Sequence, residues 1–423
     1  MKVLLLKDYF YPEQCAGIQL TNDLLKGFSE NDLEAEVYVP IPCRGVDAAT
    51  RKAYRKKKKE SLYDGRIKLY RYWLPYERKN KLLRASRYLL QNVRQFFKGW
   101  ACKNVDMIFL GSTPPTNGIV GAWLKKIKRI PFVYNVQDVF PDSMVAAGIT
   151  KKGSLLWKIG NKMANKTYKK ADKIIVISEE MRDNLLAKGV SAEKIEIVYN
   201  WVDEEVIHPV QKEDNGLIKE LNIPQYDFSI VYAGNLGYAQ SVETIIEAAA
   251  LLKENSEIGF YIFGEGANKE KIEQMIAEKC LKQVHMYPLQ PHERVSEVYS
   301  LGDASIVACK KGTGVSALPS KTWNIMACGK PILVCFDKDT LLERLVVEQE
   351  CGLFAEAEDA KALCENILSL SKNKKECERL GKNARGYIET YLTKKSCITK
   401  MVEILKETKK QFDYERSPKN DDV

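Results

Sequence analysis

Apolar and polar positions along this chain switch repeatedly between two periods. Short apolar runs fall at Val3–Leu6, Ala35–Val39, Ile67–Tyr72, Met107–Leu110, Phe132–Val136, Ile174–Ile177 and Ile195–Val198. Their length and near-continuous apolar character read as strands of a covered sheet. Stretches of helical period lie between most of them, clearest at Asn117–Lys128 and Glu179–Lys188. Strands alternating with helices of this length predict βαβ units and a parallel sheet. The pattern pauses from Trp201 to Asp227, a polar stretch with Pro209, Gly216 and Pro224 that reads as a linker. It restarts at Phe228–Ala233 and continues through Phe260–Phe263, Val284–Tyr287, Ser305–Ala308 and Ile332–Cys335; from Asp359 to Phe412 it is almost wholly helical. The expected architecture is two doubly wound α/β domains, residues 1–205 and 206–395, with a helical tail over 396–423 whose return to the first domain is left open. Ligands of such sheets bind beyond the carboxyl ends of the strands, so a cleft between two domains would offer one face for a donor and one for an acceptor.

Composition narrows the class. A hydrophobic fraction of 45% over 423 residues suits a globular protein. No run approaches the ~20 apolar residues of a spanning helix. Met1-Lys2-Val3 leads directly into a strand, without the parts of a signal peptide, so a cytoplasmic protein is expected. Eleven cysteines without a CxxC pair read as buried, reduced thiols, and three histidines without a cysteine at ligand spacing argue against a metal site.

Charge changes the picture more. Between Arg51 and Arg94 there are 16 Lys and Arg against 3 Asp and Glu, an excess larger than the net +10 of the whole chain. A localised basic region points to one anionic partner surface. Leu82, Leu89, Val93, Phe96 and Trp100 recur at helical spacing, with Arg84, Arg87, Arg94 and Lys98 largely on another face. A basic amphipathic helix of this kind can lie in a bilayer interface; equally, the apolar stripe can pack on a sheet with the basic face solvated. The membrane expectation covers the basic segment 51–100 and places the protein peripherally on the inner face of the cell membrane. A nucleic-acid partner is not expected.

Candidate chemistry clusters in the second half. Tyr232-Ala233-Gly234-Asn235-Leu236-Gly237-Tyr238-Ala239-Gln240 carries an apolar strand into a glycine turn, with a helix expected near Ser241. Glycines let a backbone approach a ligand, and a helix N-terminus offers free N–H groups to an anion. A second glycine turn, Gly264-Glu265-Gly266, also follows a strand and does not complete a dinucleotide fingerprint. Leu318-Pro319-Ser320-Lys321-Thr322 precedes the apolar stretch Trp323–Cys328; Ser320 or Thr322 can cap that helix, which puts Lys321 in its first turn, where the dipole disfavours a cation. A diphosphate there would reconcile the two. Asp337-Lys338-Asp339 reads as capping. In the first half, Tyr11–Gly17 follows the first strand, and Asn135-Val136-Gln137-Asp138 follows the fifth, where Asp138 can hydrogen-bond an acceptor hydroxyl or act as base.

In order, Tyr9-Phe10-Tyr11-Pro12-Glu13, Val136-Gln137-Asp138 with Pro141-Asp142, Asn200-Trp201-Val202-Asp203, Tyr232–Gln240, Pro319-Ser320-Lys321 and Ala327-Cys328-Gly329-Lys330-Pro331 resemble glycosyltransferase family 4, retaining enzymes of the GT-B fold. The likeness runs over nearly the whole chain and is greatest to the fucosamine transferase-like branch of bacterial capsule and O-antigen synthesis. It implies two Rossmann-like domains facing a cleft, the first binding acceptor and the second a nucleotide-sugar donor. The implied reaction is transfer from a UDP-sugar, with an N-acetylated amino or deoxyamino sugar expected, to a saccharide or undecaprenyl-diphosphate-linked acceptor, with retention and without a metal or other cofactor. It implies Asp138 and Gln137 as catalytic candidates, Gly17 in an acceptor-side loop, and Gly234, Asn235, Gly237, Gln240, Gly264, Glu265, Gly266, Ser320, Lys321, Thr322 and Asn324 about the donor. The chain departs from the family pattern at Ser316 and Asn324, where a Glu-x7-Glu pair is usual, at Asn235 and Gln240, where Arg and Lys are usual, and at Gln137, where His is frequent. Lys321 is therefore the leading cation. Rival readings are a GT-B sugar-nucleotide epimerase, expected to be richer in His, and a non-enzymatic basic membrane or nucleic-acid adaptor, which would leave three ligand-like turns idle.

Overall fold

The computed structural model describes residues 1–13, 17–76, 81–146, 150–314 and 319–417. Gln14, Cys15, Ala16, Ser316, Leu318 and the end of the tail lie outside the described residues, as do the side chains of Leu82 and Arg84.

The chain forms two compact units, Met1–Trp201 with Lys395–Val423, and Val202–Lys394. The first contains β1 (Lys2–Leu6), β2 (Glu34–Pro40), β3 (Lys59–Leu62), β4 (Ile67–Tyr72), β5 (Met107–Gly111), β6 (Phe132–Val136), β7 (Lys173–Val176) and β8 (Ile195–Ile197). They run in the order β3-β4-β2-β1-β5-β6-β7-β8, parallel except for β3, which pairs antiparallel with β4. The central strands are apolar on both faces because helices cover both. Val3 and Leu5 join one core cluster, Leu4 and Leu6 another. The closing helix Lys394–Arg416 adds Ile398, Met401, Val402 and Leu405 to the first of these, beside Leu24 and Phe28. The tail thus belongs to the core of the first unit.

The second unit has β9 (Phe228–Asn235), β10 (Ile258–Glu265), β11 (Val284–Tyr287), β12 (Ala304–Ala308), β13 (Ile332–Phe336) and β14 (Gly352–Glu356), in the order β11-β10-β9-β12-β13-β14 and all parallel. Successive strands leave β9 toward one edge and resume at β12 toward the other, which creates a topological switch point between β9 and β12. An equivalent point lies between β1 and β5 in the first sheet.

Two strands were not expected, β3 and β14, and each is a sheet edge. Lys59-Glu60-Ser61-Leu62 is polar because an edge strand is half solvated and its lysine discourages further pairing. The Trp201–Asp227 linker is corrected as well. It carries the helix Gly216–Glu220, buries Ile207 and Leu217, and is tied to the second unit by Asn215 Nδ2 donating to the Glu297 carbonyl at 2.7 Å. Ten described cysteines are free, and all but Cys280 are buried.

Candidate functional site

The carboxyl ends of β9, β10 and β12 gather most of the expected donor residues. Register brings the two glycine turns side by side, with Gly264 opposite Gly234 and Glu265 opposite Asn235. A Cβ on Gly264 would lie 2.5 Å from the Gly234 carbonyl oxygen, so glycine is required there for the turns to approach. Gly266 is equally crowded by the Leu236 backbone. Glu265 is committed to an ion pair with Lys269 at 2.8 Å. Asn235 Nδ2 donates to Gln240 Oε1 at 3.4 Å across Gly237. Beyond β12 the chain folds back onto this turn, the Lys310 N–H donating to the Ala239 carbonyl at 2.9 Å. Asp337, expected to cap a helix, instead accepts from the N–H groups of Gly312 and Gly314, both at 2.8 Å, and fixes that loop. Thr340 caps the following helix.

Lys321 is the first residue of the helix Lys321–Ala327. Its Nζ lies 4.0 Å from the centroid of the Tyr232 ring, and a Cβ on Gly234 would stand 3.4 Å from it. The ammonium nitrogen is buried and has no hydrogen-bond partner among the described residues. Burial alone pushes its pKa down to about 7. The face of Tyr232 offers partial compensation, but an unpaired buried cation remains costly. A diphosphate would complete it through charge-assisted hydrogen bonds. The expected caps do not form: Ser320 occupies the cap position without a side-chain bond, and the buried Thr322 Oγ1 is also unpartnered. Asn324 follows one turn later and is half-buried. The Tyr232 ring was not expected as a site group; its only sequence signal was its place two residues before Gly234.

In the first unit, Ser112 beyond β5 holds the turn beyond β6. Its hydroxyl accepts from the N–H groups of Gln137 at 2.9 Å and Asp138 at 3.3 Å. The Gln137 amide is engaged at both ends, donating to Asn135 Oδ1 at 3.1 Å and accepting from Asn200 Nδ2 at 3.0 Å. Asp138 is solvent-exposed, its carboxylate has no hydrogen-bond partner among the described residues, and partial desolvation raises its pKa. Asp142 pairs with Lys188 and is structural. Gly17 heads the helix Ile18–Glu30 with φ of 80°, and its carbonyl accepts from Thr21.

At the β1–β5 switch point lies Asp8, a buried group that sequence reasoning missed. Gln91 Nε2 donates to Asp8 Oδ1, as does Gln95 Nε2 at 3.3 Å. Burial raises the Asp8 pKa to about 7, against the attraction of Lys7. Both glutamines come from the helix Lys81–Ala101, which is amphipathic in the inverted sense. Arg87, Gln91 and Gln95, four residues apart, are buried toward the sheet, with Arg87 Nε donating to the Pro75 carbonyl at 3.1 Å. Leu89, Val93, Phe97 and Trp100 are each more than half exposed. The expected solvated basic face is therefore corrected: Arg87 is interior, Arg94 lies over the exposed Trp73 ring, and Lys98 remains in solvent. Phe96 is half-buried against Trp123 of the neighbouring helix Asn117–Lys128, and Trp123 and Ile127 extend the exposed apolar face. Among the described residues no helix is long and apolar enough to cross a membrane, and no group of three or more His, Cys, Asp and Glu could hold a metal.

Comparison with known families agrees with these two halves. Residues 19–206 match the model described as Glycosyltransferase Family 4, and residues 214–387 match Glycosyl transferases group 1. The chain belongs to the family 4, group 1 glycosyltransferases. This glycosyltransferase is 27% identical over 288 residues to WcaI of Escherichia coli K12, which is assigned as a colanic acid biosynthesis glycosyl transferase, covering 66% of this chain and 68% of the other. It is 27% identical over 299 residues to the assigned glycosyltransferase WbjE of Pseudomonas aeruginosa, covering 69% and 73%. Among solved structures, Anabaena HepE in complex with UDP superposes with a TM-score of 0.70 at 15% identity, over 96% of this chain and 100% of that one. The glycosyltransferase has the GT-B fold.

Proposed function

We propose that this glycosyltransferase transfers a sugar from a UDP-sugar to a saccharide acceptor in the assembly of a bacterial surface polysaccharide, capsular or O-antigen. The observation that carries the proposal is the unpaired Lys321 ammonium at the β9–β12 switch point, flanked by two interlocked glycine turns. The UDP bound by HepE and the colanic acid assignment of WcaI support the donor and the pathway class. The bond from the anomeric carbon to the diphosphate breaks and a bond to the acceptor oxygen forms, with retention. Lys321 stabilises the charge that develops on the departing diphosphate. Asp138 holds the acceptor hydroxyl, whose proton leaves as the new bond forms. Gln137, tied to Asn135 and Asn200, sets the position of that turn. No cofactor or metal takes part: dialysis against EDTA is expected to leave transfer intact, and activity that is lost and then returns with magnesium would overturn that part.

The donor sugar on this reading is an N-acetylated amino or deoxyamino sugar, and the acceptor is lipid-linked. The acceptor reading rests on the inverted helix. An apolar ridge of Leu89, Val93, Phe97 and Trp100 is turned to solvent, each more than half exposed, and a basic surface beside it suits a bilayer interface. The protein then works peripherally, on the inner face of the cell membrane. The decisive test is thermal shift with UDP-, GDP-, ADP- and dTDP-sugars, because a ligand of the native state raises its melting temperature. A rise with UDP-sugars supports the reading; a rise confined to another nucleotide overturns it.

A further inference from the structure

Three strand ends of the first sheet stand in a row, and side chains link them. β1 pairs with β5 with Val3 opposite Met107, Leu4 opposite Ile108 and Leu5 opposite Phe109. The same offset, carried past the last paired residue, sets Asp8 level with Ser112. β5 pairs with β6 with Gly111 opposite Asn135. Ser112 therefore stands beside the end of β6, where its hydroxyl holds the N–H groups of Gln137 and Asp138. It is buried, and its own N–H donates to the Asn135 carbonyl at 2.9 Å. Asn117, the first residue of the helix after β5, reaches back toward β1. It is buried, its Nδ2 donates to the Thr113 carbonyl at 2.9 Å, and its amide favours the ionised Asp8 carboxyl beside it.

This layer is kept polar at a cost. Gln91 Oε1, Gln95 Oε1 and Asn117 Oδ1 are buried without a hydrogen-bond partner among the described residues, and each such oxygen forgoes the bond it makes in water. Apolar side chains would pack the Lys81–Ala101 helix on the sheet without that loss. A buried polar contact instead fixes one arrangement of the groups it joins. The group joined here is the corner between β5 and the Asn117–Lys128 helix, and that corner carries Ser112. We infer that Asp8 is a positioning residue for transfer: through Asn117 it fixes the Ser112–Thr113 corner, which in turn holds the turn bearing Asp138. The inference rests on the reading of Asp138 proposed above.

Hydrogen–deuterium exchange of the full chain, read by mass spectrometry, follows that turn without a substrate. Asp8→Leu should speed exchange of the segment 135–141 roughly fivefold, the scale of one hydrogen bond, and leave the Gly234–Gly237 turn unchanged. Asp8→Asn keeps an acceptor oxygen and should stay near wild type. Asn117→Ala breaks the path without touching Asp8; it should match Asp8→Leu, and the double variant should add nothing further. Transfer is followed as UDP release from the UDP-sugar that gives the largest thermal shift, with undecaprenyl-diphosphate-linked N-acetylglucosamine as acceptor. Asp8→Leu should lower kcat roughly fivefold and leave the donor KM unchanged. Faster exchange confined to the Lys81–Ala101 helix, or spread over the whole first unit, would make Asp8 a packing group and overturn the inference, as would additive effects of the two variants. If Asp138→Asn impairs transfer and Asp8→Leu does not, the inference fails and the Asp138 reading stands. If neither impairs it, the Asp138 reading has failed and the inference falls with it.

Discussion

The Lys321 ammonium lies over the Tyr232 ring at 4.0 Å with no hydrogen-bond partner among the described residues. Lys321→Ala should weaken UDP binding by about 1.5–3 kcal/mol, the scale of a charged hydrogen bond, which is roughly 10- to 150-fold in Kd. Titration calorimetry with UDP checks it, and wild-type affinity in the variant would reject the assignment.

The same residue predicts a proton balance. Lys321 titrates near 7 in the fold against 10.5 when free. The unfolded chain holds its proton more tightly, so this group's contribution to stability is complete above 10.5 and is lost as pH falls through 7. A bound diphosphate restores the proton. UDP binding at pH 8 should take up protons, seen as a dependence of the binding heat on buffer ionisation enthalpy. Lys321→Met should abolish that dependence and flatten the stability rise above pH 7.

Asp138→Asn should impair transfer while donor affinity is kept, because the exposed carboxylate belongs to the first unit and the glycine turns proposed to hold the donor belong to the second. Partial desolvation raises its pKa, so transfer should fall as pH drops through that raised value. Loss of donor affinity equal to the loss of rate would move Asp138 away from the acceptor.

Two glycines should fail differently. Gly264→Ala forces a Cβ to 2.5 Å from the Gly234 carbonyl and should cost about 1–3 kcal/mol of stability, with weaker UDP binding. Gly17→Ala meets no neighbour within 4 Å but must adopt a φ of 80°. It should cost about 1–2 kcal/mol and leave UDP binding unchanged. Thermal unfolding with and without UDP distinguishes them.

Asp8 predicts the opposite pH trend to Lys321. Its pKa is about 7 in the fold against 3.8 when free. Its contribution is therefore fully present below 3.8 and lost as pH rises through 7. The facing groups are Lys7 just beyond β1, Tyr72 of β4 and Arg87 of the Lys81–Ala101 helix. Asp8→Asn should flatten that decline in denaturant titrations across the range; an unchanged slope would assign it elsewhere.

The two-sheet architecture was legible in the chain because central parallel strands are apolar on both faces, as Val3–Leu6 and Ile332–Cys335 show. Glycine turns at Gly234 and Gly264 were legible for the same local reason, a strand ending in residues that permit close backbone approach. Edge strand β3 was not, because an edge is solvated and loses the apolar signature; β14 keeps Leu353, Phe354 and Ala355 and was simply overlooked. Periodicity marked Leu89, Val93 and Trp100 as one stripe of a helix, yet could not say which way the stripe faces. That direction depends on what the sheet presents, and here Asp8 turns Gln91 and Gln95 inward through hydrogen bonds. Likewise Lys321 was visible as a cation at a strand-to-helix turn. Only the tertiary structure buries its ammonium against Tyr232, because burial is set by neighbours 89 residues away in sequence, beyond the reach of any local pattern.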